Sequence, residues 1–145
     1  MLNCLPMSTN APTGPSHTFN QVRQDHATET AADYVELIDE LRRETGEARG
    51  ADLCKLLGVS HVTVSKTLQR LARDGYVVAK PYRSVFLTEK GKALAESSRE
   101  RHRLMVSLLE RVGVSKVTAE ADAEGMEHHV SKETLEAIKA FLSTP

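Results

Sequence analysis

The sequence has no tryptophan, and aromatic residues make up only 4% of its 145 positions. Little aromatic bulk beside many Leu, Val and Ala favours a helical protein. Only two cysteines occur, Cys4 and Cys54. Their spacing fits no metal motif, so a reduced, cytoplasmic protein is the simplest reading. Cys54, among apolar neighbours, reads as a core residue. No apolar run is long enough to span a bilayer, so no membrane partner is expected. The N-terminus also lacks the basic start and apolar stretch of a signal peptide. A strong charge of either sign is missing as well, since the formal net charge is −1. No global field therefore drives the chain onto nucleic acid or membrane.

The average hides an asymmetry. Between Ala51 and Lys90 seven basic side chains face three acidic ones, a net of +4. Between Ser115 and Pro145 three lysines face six acidic residues, a net of −3. A basic segment followed by an acidic one suits anion binding at one end and cation binding at the other. Residues 1–30 are rich in Pro, Ser, Thr, Asn and Gln, with Pro6, Pro12 and Pro15, and show no apolar periodicity. They read as a flexible arm whose histidines, His17 and His26, are solvated.

Beyond the arm, Tyr34, Leu37, Ile38 and Leu41 recur at helical spacing, which predicts a helix near 31–44 ended by Gly46. A short helix over about 50–57 and the turn Gly58-Val59-Ser60 follow. Ser60 is a good N-cap for a third helix to about Asp74, with Val64, Leu68 and Leu71 facing inward. Residues 76–80 and 84–88 alternate like two strands, joined by Pro81-Tyr82-Arg83. Thr88 caps a long helix from Glu89 to about Val112. Ser115 opens another through about Val130, and Ser131 opens the last. The expected fold is mainly α. A winged helix-turn-helix domain over 31–90 precedes a helical metal-binding and dimerisation domain over 91–145.

Helix, helix, turn, helix and two-stranded ribbon is the order of a winged DNA reader, and here it coincides with the basic segment. The outward positions of the third helix are short and polar: Ser60, His61, Thr63, Ser65, Lys66 and Thr67, with Val62 between them. Short side chains let a helix approach the floor of the major groove, and Lys66 can donate to guanine or phosphate. Arg70, Lys80, Tyr82 and Arg83 are placed to hold phosphates along the helix and the wing.

The acidic end contains Asp122-Ala123-Glu124-Gly125-Met126-Glu127-His128-His129. On an α-helix Glu124, Glu127 and His128 stack on one face, at i, i+3 and i+4. Two carboxylates and an imidazole crowd together at a cost unless a cation neutralises them. Three donors do not fill a six-coordinate site. Asp33 and Glu36, at i and i+3 on the first helix, and His102 on the long helix are further candidates. The bland alternative for Asp33 and Glu36 is that acidic residues near a helix start favour its dipole.

From about Ala32 to Leu142 the chain resembles the DtxR/MntR family of metal-dependent repressors. The resemblance is carried by Asp33-Tyr34-Val35-Glu36, Val62-Thr63-Val64-Ser65-Lys66, Phe86-Leu87-Thr88-Glu89-Lys90-Gly91, Arg101-His102 and the 122–129 motif. It implies that Asp33, Glu124, Glu127 and His128 hold one metal ion. It implies that Glu36 and His102 hold a second, with Glu124 and Glu127 shared. His129 is expected as a neighbour of the site. Carboxylates with one imidazole per ion suit Mn²⁺, whereas thiolate or thioether would favour softer ions. Iron-responsive relatives place Met and Cys where this chain has Asp33 and Glu124, although the site does not exclude Fe²⁺. The third, SH3-like domain of some relatives is not expected here.

The resemblance further implies a homodimer on a palindromic operator in double-stranded DNA. Manganese uptake genes are the expected targets of repression, with export genes activated instead. Three other readings compete, one of them a pure protein-interaction module, which would lack salt-sensitive DNA affinity. A carboxylate-bridged dimetal enzyme would need the Glu-x-x-His motif on two helices, and only one occurs. A winged-helix repressor sensing an organic ligand would treat the acidic cluster as plain surface and show no metal dependence.

Overall fold

The computed structural model describes residues 15–80 and 82–144, with side chains from Val22 onward. The first helix, α1, spans Pro15–Thr45, followed by α2 (Gly50–Leu57) and α3 (His61–Arg73). Strands β1 (Val77–Val78) and β2 (Phe86–Leu87) pair antiparallel, Val77 opposite Leu87 and Val78 opposite Phe86. Helix α4 (Glu89–Arg111) leads to α5 (Lys116–Met126), a 3₁₀ turn (Glu127–His129) and α6 (Lys132–Leu142).

Side-chain caps set most helix starts. The hydroxyls of Ser60, Thr88, Ser115 and Ser131 accept from the backbone N–H of the third residue onward, at Thr63, Gly91, Thr118 and Thr134. Each satisfies an amide that the helix itself leaves open, worth about 1 kcal/mol. Two apolar cores result. Tyr34, Ile38 and Leu41 of α1 pack with Leu53, Val64, Leu68, Leu71, Val77 and Val85. Met105 and Val106 of α4 pack with Ala119, Ala123, Leu135 and Ile138. Burying such side chains stabilises by about 1.5–3 kcal/mol each for the larger ones. Helix α4 joins the cores, because Leu94 near its start packs on the first and Met105 belongs to the second. Asp39 of α1 reinforces this link, accepting from Arg99 of α4 at 2.6 Å while pairing with Arg43 at 3.2 Å.

The structure departs from the sequence expectations in three places. Residues 15–30, read as part of a flexible arm, are helical and continuous with α1. A packed helix extends cheaply once nucleated, because each added residue closes one more hydrogen bond. Residues 1–14, with Cys4, lie outside the described residues, as does Pro81 of the wing turn. The strands are two residues each, shorter than 76–80 and 84–88. Helix α5 stops at Met126 instead of about Val130, and the chain tightens into the 3₁₀ turn. Gly125 weakens the helix end, and Ser131 is already committed to capping α6.

Gly91 fixes how α4 meets the wing. A Cβ there would overlap the carbonyl oxygen of Tyr76. Thr88 Oγ1 donates to the Gly75 carbonyl at 2.6 Å in the same corner. Gly91→Ala is therefore expected to destabilise the fold by about 1–3 kcal/mol through overpacking, read from the urea midpoint. An unchanged midpoint would mean that the corner relaxes freely.

Candidate metal centre and nucleic-acid interface

Five of the six candidate ligands form a chain of contacts where α1, α4, the end of α5 and the 3₁₀ turn come together, and Glu36 is near enough to repel Glu127. Asp33 and Glu36 project from α1 and His102 from α4, while Glu124 lies on α5 and Glu127 and His128 on the turn. His128 Nε2 lies 3.4 Å from Asp33 Oδ1 and 3.8 Å from Glu127 Oε1. His102 Nδ1 lies 2.8 Å from Glu127 Oε2 and 3.7 Å from Glu124 Oε1. Glu36 accepts instead from Ser98 Oγ at 3.0 Å.

The 3₁₀ turn gives Glu127 and Glu124 different surroundings. Glu127 is 2% exposed, whereas the Glu124 side chain is 74% exposed. The one-face stacking expected of a continuous α-helix is thus replaced by a buried carboxylate and a solvent-facing one. Among the described residues, no group of three or more His, Cys, Asp or Glu side chains is arranged to hold a metal ion. Like-charged carboxylates repel and do not converge on one point unless a cation stands between them.

The electrostatics register this crowding. Burial, with added repulsion from Glu124 and Glu29, pushes the Asp33 carboxyl above its ordinary pKa despite the opposing pull of His128. Burial also raises Glu36, where Ser98 and Arg99 oppose the shift and Glu124 and Asp33 add to it. Glu127 is raised by burial and by Glu36, against the hydrogen bond and charge of His102. Burial works against a charged His102 ring, yet its bonds to Glu120 and Glu127 outweigh that and hold its pKa above the ordinary value. Partly desolvated carboxylates and two imidazoles, mutually coupled and drawn from three elements, are a donor set for a hard divalent cation. The donor types are those that such an ion takes.

Sequence reasoning missed Ser98 and Glu120. Ser98 is buried against Glu36, and Glu120 Oε2 lies 2.9 Å from His102 Nε2. Each precedes a candidate ligand by four residues, one helical turn, which is the signal that was available.

One side of α3 faces the wing. A groove of about 830 Å³ between them is lined by His61, Ser65, Lys80, Tyr82 and Arg83, and also by Arg49. Val62, Thr63, Lys66 and Ser65 are exposed, while Thr67 and Arg70 are half-buried. Ser60 is occupied as a cap, and His61 Nδ1 lies 3.4 Å from Cys54 Sγ. Cys54 itself is half-buried at the edge of the first core. Tyr82 stands fully exposed with a left-handed backbone, φ 58°. The wing is pinned to the loop after α1. Val85 N–H donates to Ala48 O at 2.7 Å, Ser84 Oγ donates to Glu47 at 3.0 Å, and Arg42 covers the Phe86 ring.

Residues 26–85 match the family model described as iron dependent repressor, N-terminal DNA binding domain. Residues 88–145 match its companion, iron dependent repressor, metal binding and dimerisation domain. Over 123 residues the chain is 54% identical to the transcriptional regulator MntR of Escherichia coli, covering 85% of this chain and 79% of that one. The chain belongs to the MntR branch of the iron-dependent repressor family. It is a DNA-binding, metal-dependent transcriptional regulator with a dimerisation domain, not an enzyme. Membership extends to the MntR regulator of Geobacillus kaustophilus, 37% identical over 111 residues, with 77% and 79% of the two chains covered. A solved manganese-dependent transcriptional repressor in complex with manganese superposes with a TM-score of 0.69 at 31% identity. That alignment covers 79% of this chain and 53% of the other, so this chain spans about half the length of that structure. The family's winged helix and metal-binding helical domain account for both cores described above. Among the described residues no helix is long and apolar enough to cross a membrane.

Proposed function

We propose that this chain is a cytoplasmic manganese sensor whose two modules share a pair of divalent ions in each protomer of a homodimer. Asp33, Glu124, Glu127 and His128 hold one ion. Glu36 and His102 hold the second, with Glu124 and Glu127 shared. The reading rests on one observation: the buried Glu127 carboxylate stands between His102 and His128, and His128 reaches Asp33 on the DNA-reading side. The ions supply positive charge that lets these carboxylates share one space.

Function follows from where the donors sit. Asp33 and Glu36 ride on α1, whose other residues pack against α3 and the wing. Glu127 and His128 ride on the turn beside α6. When both sets engage, the DNA-reading module holds a fixed distance from the dimerisation module. The two α3 helices of the dimer then keep the spacing of successive major grooves on a palindromic operator. Affinity rises because fewer conformers remain to be ordered on binding, without any metal–DNA contact. Manganese over softer ions is supported by the donor chemistry, oxygen-rich and free of sulfur. Fe²⁺ can use the same donors, and selectivity then depends on geometry. The genes repressed are those of manganese uptake, with export genes activated instead.

The test is selection of genomic fragments by the chelator-stripped dimer with and without Mn²⁺. Palindromic fragments retained only with Mn²⁺ are expected. Lys66→Ala should lower their retention without changing metal uptake, since Lys66 sits on the exposed face of α3. Equal retention without metal would overturn metal control.

A further inference from the structure

The His102 ring is held from both sides. Its Nδ1 lies 2.8 Å from Glu127 Oε2, and its Nε2 lies 2.9 Å from Glu120 Oε2. Glu124 Oε1, 3.7 Å away, is also on the Nδ1 side. Ionised carboxylates only accept hydrogen bonds, and a neutral imidazole has a single N–H to give. Glu120 and Glu127 therefore compete for one proton. The outcome matters, because a ring nitrogen ligates metal only through its lone pair, and the partner of the other nitrogen decides which lone pair is free.

We propose that Glu120 is a positioning residue for the metal centre: it keeps the proton of His102 on Nε2, leaving Nδ1 free to face Glu124 and Glu127 as a ligand. The inference rests on the ligand set of the preceding section. Carboxylate, imidazole and metal in series orient the ring and raise the basicity of the ligating nitrogen. Glu120 faces the far nitrogen, so it acts through the ring. Its side chain is 49% exposed on α5, so its replacement opens no cavity in the core. Glu127 is itself a proposed ligand, so its replacement would not isolate the effect of the ring proton.

Long-range nitrogen-15 correlation spectra of the metal-free, full-length dimer read the tautomer, at a pH where His102 is neutral. Wild type and Glu120→Gln are expected to show Nε2–H, because the carboxamide oxygen still accepts. Glu120→Ala is expected to switch to Nδ1–H, donated to Glu127. In parallel Mn²⁺ titrations, Glu120→Ala should weaken uptake of the ion at His102 by about 10–100-fold, the usual loss for an outer partner of a metal-bound histidine. Glu120→Gln should stay close to wild type. An unchanged tautomer in Glu120→Ala, or Gln behaving like Ala, overturns the proposal. Wild-type protein that takes up no manganese overturns the ligand set, and with it the metal role of Glu120. The tautomer readings, which need no metal, tell the two failures apart.

Discussion

Glu127→Ala is expected to abolish manganese-dependent operator binding while the protein stays a folded dimer. Glu127 is the one candidate ligand that is fully buried, and it contacts both imidazoles, His102 at 2.8 Å and His128 at 3.8 Å. Truncation removes a donor proposed to be shared by both ions. Loss of an outer partner alone costs about 10–100-fold in metal affinity, so loss of this carboxylate should exceed about 100-fold. The fold should survive. The carboxyl resists ionisation where it is buried, and both apolar cores are built from other residues. Calorimetry with Mn²⁺, fluorescence anisotropy on operator DNA and sedimentation check the three parts separately. A variant that still answers to Mn²⁺ at wild-type concentrations would show that Glu127 is not a ligand.

Metal removal should reverse how stability depends on pH. Asp33, Glu36 and Glu127 have pKa values raised by burial and by one another, and His102 is raised by its carboxylate partners. The folded chain therefore binds these protons more tightly than the unfolded chain does. Their contribution to stability is present below the unfolded pKa of each group and is lost as pH rises through the folded one. For these groups, stability in chelator should rise as pH falls from neutral into the carboxylate range. Mn²⁺ competes with the same protons, so its affinity and its stabilisation should fall along the same path. At neutral pH, Mn²⁺ at a hundred times its dissociation constant adds about 2.7 kcal/mol per independent site. For a chain of this size that is a rise in melting temperature of about 5–10 °C. Differential scanning calorimetry across pH, with and without Mn²⁺, reads both slopes. Parallel slopes would mean that the metal does not engage these groups.

Much of the fold was legible because local chemistry decides it. Ser60, Thr88, Ser115 and Ser131 mark helix starts in sequence and act as caps in the structure. The inward stripe Val64, Leu68 and Leu71 is buried as its spacing requires. The motif at 122–129 was legible as a candidate site because carboxylates and imidazole recur there at helical spacing. Its geometry was not, because a helix pattern cannot announce that α5 ends at Met126. The 3₁₀ turn separates Glu127 from Glu124 in burial and turns Glu127 toward His102. The early start of α1 was hidden by a polar composition that resembles a tail. Ser98 and Glu120 matter through tertiary contacts, which one-dimensional spacing only hints at.

The proposed function depends on a pair of ions held between the two modules by shared carboxylates. Titration of the chelator-stripped dimer with Mn²⁺, followed by electron paramagnetic resonance, tests it most directly. Two ions per protomer at saturation are expected, with spin coupling between them, because Glu124 and Glu127 as shared ligands would bring them close together. Uptake of no manganese, or of ions whose spectra stay uncoupled at saturation, would contradict it.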